Sequence, residues 1–205
     1  VYTSPQSLNI SPPQQTNDSL SSLPQDTEGF TIMNPSIDSR MIFVGTTADV
    51  PADVRSQFAD RPNQILTAST VAAGLALMRA GYPDHLHLKR GQIFNQALGG
   101  IDALRGRSSA ERAVIKSYGD PALDRPTFNG NSSIASCITV NTRSEPRYLL
   151  ITDIACKNFS SSGIEWKGRG SDIHLENLSL TGTYQNMSVF PVHDVQMTGR
   201  VLSNL

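Results

Sequence analysis

The 205 residues carry a formal net charge of -1 with few charged side chains, so no electrostatic footprint for DNA, RNA or an anionic membrane is present. No apolar run reaches the roughly 18 residues a bilayer-spanning helix needs. Ser, Thr, Asn and Gln are abundant and lysine is scarce, which suits an exported protein. The first residue, Val1, fits a trimmed domain or a mature chain whose signal peptide has been removed.

Residues 1–28 form a Pro/Ser/Gln-rich tail without Lys or Arg, too polar to offset its own ordering entropy. Within it "SLNIS" alternates, with Leu8 and Ile10 on one side, and reads as a short strand awaiting a partner. The globular part, 29–205, opens on "RMIFVG", a strand ending at a glycine. "TTADVPADVRSQFADRPNQ" reads as a loop punctuated by Pro51 and Pro62. "STVAAGLALMRAG" predicts an amphipathic helix capped by Ser69 or Thr70, with Val71, Leu75 and Met78 on one face and Gly81 as its stop. In "DHLHLKRG", Leu86 and Leu88 point one way and His85, His87 and Lys89 the other. "AVIKSYG" is a further strand.

From Thr127 the chain becomes short strands between Gly, Asn, Ser and Asp turns. "CITV", "RYLLI" and "DIAC" make one set, "GIEW", "DIHL" and "NLSL" the next, and "SVFPV", "DVQM" and "RVLSNL" a third. Apolar residues recur at 24: Ile151 and Leu175, Ile154 and Leu178, Cys156 and Leu180, then Leu202 after Leu178. A fixed period of this size points to a solenoid. With strands this short it predicts a mainly β chain, a parallel β-helix of three strands per coil and coils about 4.8 Å apart. The expected layout is a cap over about 29–126, with its helix closing the N-terminal end, and roughly three coils over 127–205. A β-sandwich is the alternative, although its hairpins would space the strands less regularly.

Cys137 and Cys156 are compatible with one disulfide or two buried thiols. Sequons stand at Asn9, Asn17, Asn131, Asn158, Asn177 and Asn186, relevant only where the source glycosylates asparagine.

Several stretches together resemble the bacterial secreted right-handed parallel β-helix repeat proteins, related in fold to pectate lyases. "SIDSRMIFV" resembles that family's first strand, and "LALMRAGYPDHLHLKRGQIF" its capping helix and following strand. "AERAVIKSYGDPALDRPTF" resembles the lead into the first coil and "YLLITDIACKNFSSSGIEW" a coil. Two places depart from the pattern: the loop after Gly45 lacks the Gly/Asn/Asp-rich, Ser-Pro-containing turn, and His85 and His87 stand where apolar or aromatic residues are common. The resemblance implies fold and export. It does not select an activity, because this fold serves as lyase, hydrolase, adhesin and structural rod.

No catalytic constellation stands out. A glycosidase needs two carboxylates about 5 to 10 Å apart. Asp153, Asp172 and Asp194 sit at strand starts, where acids shape turns by bonding nearby backbone N–H groups. Glu165 and Lys167 flank Trp166, but no aligned acid follows in "SVFPV". Glu176, Lys157, Arg169 and Arg200 complete the charged set of the coils, and His174 and His193 are isolated. His85 and His87 offer half a zinc or copper site, yet without a third ligand an exposed polar strand face is the simpler reading. No catalytic residue, metal or cofactor is expected.

The sequence stops at Leu205 inside a strand. An uncapped coil would present unpaired backbone groups to another chain. The function expected first is therefore a non-enzymatic subunit assembling head-to-tail into extracellular filaments. Its interface would comprise Leu8, Ile10, Val201, Leu202 and Leu205, its partner a second copy. The alternative is a carbohydrate-active or carbohydrate-binding β-helix, with polysaccharide as partner and an outward groove.

Overall fold

The computed structural model describes residues 23–27 and 30–183, together with the strands Gln185–Val189 and Val195–Thr198. In chain order the elements are β1 (Met41–Val44), α1 (Ala52–Gln57), β2 (Ile65–Ala68), α2 (Val71–Leu77), β3 (His85–Lys89), β4 (Ile93–Phe94), β5 (Gly99–Gly100) and β6 (Ala113–Tyr118). Then come β7 (Thr127–Asn129), β8 (Ser136–Val140), β9 (Arg147–Thr152), β10 (Ala155–Lys157), β11 (Ser162–Trp166), β12 (Ser171–Glu176), β13 (Ser179–Thr181), β14 (Gln185–Val189) and β15 (Val195–Thr198). The chain is mainly β, and its strands form parallel sheets.

Three sheets share these strands: a seven-stranded sheet ordered β15-β12-β9-β6-β3-β1-β2, and two four-stranded sheets, β13-β10-β7-β4 and β14-β11-β8-β5. From β3 onward successive strands enter the three sheets in strict rotation. That rotation starts at His85, the first residue of β3. Ile151 pairs with Leu175 and Cys156 with Leu180, the 24-residue register expected from the sequence. Toward the N terminus the circuit lengthens, with Cys156 against Phe128 and Ile151 against Ile115. The expected place of Leu202 on Leu178 lies outside the described residues.

The corners explain the period. Three pairs of residues with left-handed backbone recur 24 apart: Tyr148 (φ 51°) and Asp172 (56°), Asp153 (59°) and Asn177 (48°), Asn158 (56°) and Gly182 (62°). Asp, Asn and Gly accept this conformation at least cost, so four of these six positions carry Asn or Asp and one Gly. Each corner redirects the strand into the next sheet, and inward side chains stack. Ile151, Leu175, Ile154, Leu178, Cys156 and Leu180 are all within 1% of complete burial. Full burial of such side chains is worth about 1.5–3 kcal/mol each.

α2 lies against the start of this core. Thr70 caps it by accepting from the Ala73 N–H at 3.1 Å, and Val71 and Met78 join the interior cluster with Val44, Leu86 and Leu88. A Cβ at Gly74 would stand 2.7 Å from the Leu86 side chain, so a glycine permits the close approach of helix and strand. The helix ends at Leu77 and not at Gly81, because Met78 is already extended. There the buried Asp84 carboxylate collects the Arg79 N–H, the Arg79 guanidinium and the Arg40 N–H at 2.7–3.0 Å, which draws the chain out of the helix.

The loop expected over 46–64 contains helix and leads into a strand. Pro51 immediately precedes α1, where a missing N–H costs nothing, and Val50, Val54 and Phe58 form an apolar stripe at near-helical spacing. Val50 and Phe58 are buried against Met41 and Phe43 on the outer side of β1. Both prolines punctuate short helical turns, one before α1 and one opening the Pro62–Gln64 turn ahead of β2.

Cys137 and Cys156 are joined by a disulfide, with Cα atoms 6.1 Å apart, tying β8 to β10 through the interior. Closing a loop of 19 residues in the unfolded chain stabilises by about 3 kcal/mol. The Cys137→Ser/Cys156→Ser double variant is expected to lose about that much in urea unfolding while keeping its β circular-dichroism spectrum. An unchanged midpoint would contradict it.

Candidate functional site

Strand alternation gives the seven-stranded sheet an inner and an outer face. The register sets out two rows on the outer face. One runs Met41–His85–Val114–Leu150–His174, the other Phe43–His87–Lys116–Thr152–Glu176. Each step in a row is one inter-strand spacing of about 4.8 Å.

This face is covered in two places. Over β1, the α1 region supplies Val50, Val54 and Phe58, with Tyr118 at the side. Over β6 and β9, Met33 and Leu23 pack on Val114 and Leu150. Residues 24–27 and 30–32 lie against each other, with an antiparallel bridge between Gln25 and Thr31 and an Ile32 N–H to Pro24 carbonyl bond of 2.8 Å. Thr31 anchors this pair of segments to β12: its N–H and hydroxyl donate to the Glu176 carboxylate at 3.0 and 2.5 Å, and His174 Nε2 lies 3.0 Å from the same carboxylate.

The expectation of an exposed histidine face is therefore corrected. His85 is fully buried and His87 is 4% exposed, the latter stacked on Phe43 with ring centroids 4.6 Å apart. The sequence alternation is right, but coverage of the outer face by Val50, Val54 and Phe58 on one side and Met33 on the other reverses the environment. None of the four ring nitrogens of His85 and His87 has a hydrogen-bond partner. Burial, reinforced by the Lys116 charge, pushes His85 down to about 3 and His87 well below its ordinary 6.5. Both rings are neutral at pH 7. Burial also lowers His174, against the opposing pull of Glu176.

Between the two covers the outer face opens into two adjoining cavities that share Thr31, Lys116 and Thr152. The larger, about 370 Å³, lies among Met33, Val54, His87 and those three residues. The smaller, about 270 Å³, extends toward Phe30, Arg90, Asp153 and Asn177. Lys116 makes no hydrogen bond or ion pair among the described residues, and burial lowers its amine from the ordinary 10.5. Together they form a cleft floored by both rows, with His87, Lys116 and Thr152 from one and Met41, Val114 and Leu150 from the other.

The sequence-singled acids are otherwise engaged. Asp153 does shape a corner, but its carboxylate does not bond the local backbone. It receives Arg90, Ser117, Arg125 at 3.1 Å and Asn177 at 3.0 Å, linking successive circuits. Asp172 pairs with the fully buried Arg112, whose Nη1 also donates to the Asp172 carbonyl at 2.8 Å. Glu165 pairs with Lys167 at 2.7 Å, and Trp166 between them points into the core, fully buried. Arg169 is exposed, and Lys157 half-buried on β10. Among the described residues, no three His, Cys, Asp or Glu side chains converge as a metal site.

Leu8, Ile10, Val201, Leu202 and Leu205, the expected assembly interface, lie outside the described residues, as do Asn9, Asn17, His193, Asp194 and Arg200. Asn186 falls in β14. Among the other sequons, Asn177 uses both ends of its amide, toward Asp153 and Arg125, and Asn158 donates to Asn129 at 3.1 Å. Asn131 is exposed and accepts through its carbonyl oxygen, so a glycan fits there with least disruption.

The Lys116 cleft itself was not singled out in the sequence. Its signal is the outward polar residue recurring in "HLHLK", "AVIKSY" and "YLLIT", legible only once the register aligns those strands. Comparison with protein-family models, curated proteins and solved structures finds no match.

The neutral histidines give a pH test. The unfolded chain binds protons near 6.5 where the folded chain does not, so stability falls as pH drops from about 7 toward 3. Each histidine is expected to remove about 2 kcal/mol between pH 7 and 5. Urea unfolding of the His85→Leu/His87→Phe variant should show a clearly flatter profile over that interval. Parallel profiles would mean that these rings are hydrated.

Proposed function

We propose that this chain is a right-handed parallel β-helix, exported from the cell, that binds polysaccharide on the outer face of its seven-stranded sheet without cleaving it. The strict rotation of strands through three parallel sheets supports the β-helix, and right-handed crossovers are the rule for parallel strands. The disulfide and the Asn/Ser-rich corners suit an oxidising exterior. Resemblance to secreted β-helix repeat proteins points the same way.

The observation that carries the binding reading is the double cavity along the Phe43–His87–Lys116–Thr152–Glu176 row. Its hydroxyls and amine offer the convergent hydrogen-bonding groups a sugar requires, beside apolar walls from Met33 and Val54. A catalytic role finds less support, because Asp153, Asp172 and Glu165 are each held in an ion pair.

Affinity electrophoresis through gels containing neutral or acidic polysaccharides tests this reading. At least one polymer should retard the protein, and Thr152→Trp, which fills the cleft from its floor, should weaken that retardation by about tenfold with unchanged unfolding. Retardation indifferent to Thr152→Trp would move the binding surface elsewhere, and none with any polymer would sink the reading.

A further inference from the structure

We propose that Lys116, with His87 beside it, forms a subsite for a single anionic group, carboxylate or sulfate, carried by the molecule that occupies the cleft. This rests on the ligand-binding reading above and adds the charge the ligand must bring.

The argument begins with an imbalance. Lys116 is outward-facing on a central strand of the sheet, flanked in its row by His87 on β3 and Thr152 on β9. Lys116 is half-buried, and a partly desolvated ammonium ordinarily gains a carboxylate partner, because leaving its charge unpaired is costly. Here the nearby carboxylates are spent or peripheral. Asp153 is held by Arg90, Arg125, Ser117 and Asn177, and Glu176 by Thr31 and His174. Asp53 on α1 borders the larger cavity and Asp26 the smaller.

A second observation is independent of the lysine. His87 is almost wholly buried, lines the larger cavity, and has no partner for either ring nitrogen. As a neutral imidazole it holds one N–H donor with no acceptor. Lys116, His87 and the Thr152 hydroxyl form a donor-bearing wall, the complement of an oxyanion, while the Thr31 hydroxyl beside them is already given to Glu176.

Binding has a proton signature. Burial holds the Lys116 amine below its ordinary 10.5, and an anion beside it would raise that value again. The groups facing it are His85 and His87 from β3, Asp53 from α1, Asp26 from the 24–27 segment, and the Arg90–Asp153 pair at the corner. Of these, the histidines are neutral above pH 7. Proton uptake on binding near pH 9 therefore falls to Lys116.

The test is calorimetric titration of the full chain at pH 9 with cellobiose, cellobiose 6′-sulfate and cellobiouronate, each in two buffers of different ionisation enthalpy. Wild type, Lys116→Met, Lys116→Arg and the control Lys157→Met are compared. Met keeps the length of the side chain and removes a desolvated charge, so that variant is expected to fold.

At least one anionic probe should bind about tenfold or more tightly than cellobiose, with proton uptake. That preference should vanish in Lys116→Met and survive in Lys116→Arg and Lys157→Met. Whether sulfate or carboxylate is preferred identifies the acid. Equal affinity for all three sugars would overturn the anion subsite and leave the saccharide reading standing. A preference that persists in Lys116→Met would also overturn it. Binding of none of them, together with no retardation by any polysaccharide, would overturn both.

Discussion

Parallel backbone pairing between residues one circuit apart is the constraint on which everything else in this protein depends. Once Ile151 lies beside Leu175 and Leu149 beside Ile173, strand alternation leaves no freedom about which side chains meet. Inward residues stack as Ile on Leu, and outward residues stack as continuous rows. The left-handed corners at Asp153 and Asn177, or Asn158 and Gly182, keep the circuits in phase. Slipping one strand by one residue would bury Glu176 in the core and expose Leu175.

The outer rows acquire their character from what covers them. A bare sheet face would leave His85 and His87 hydrated and titrating normally. Apolar residues Val50, Val54 and Phe58, brought over by α1, instead bury them beside Met41 and Phe43. On the other flank, Thr31 is held by the buried Glu176–His174 pair, which fixes the second cover. The cleft is the gap between these two covers. Its floor is rigid because it is a strand ladder, and its amine is unbalanced because the neighbouring acids serve the corners. Structural ion pairs and binding chemistry thus compete for the same carboxylates, and the corners have taken them.

Much of the inner architecture was legible in the chain. The 24-residue recurrence of apolar residues, the Thr70 cap and the alternation in "DHLHLKRG" all reappear in the structure. Alternation tells which residues share a face, but not whether that face meets water, and so His85 and His87 were assigned to solvent. The stripe Val50, Val54, Phe58 was hidden by Pro51 and Pro62, read as breakers although a proline before a first helical turn is harmless. Corner carboxylates were assigned to local backbone bonds, whereas Asp153 gathers partners from residues 90, 117, 125 and 177, a convergence that only the parallel pairing of strands distant in sequence creates. The candidate site was legible least, because Lys116 matters through its lack of a partner, and no sequence pattern records that.

The account turns on Lys116 standing unpaired in a partly dehydrated cleft. Titrating the four lysines by carbon-13 NMR, with Lys116→Met to assign its resonance, addresses this directly. The account expects Lys116 to titrate below the ordinary lysine value of 10.5. A midpoint at or above 10.5 would mean that the amine is hydrated or already paired, and would contradict the cleft as drawn.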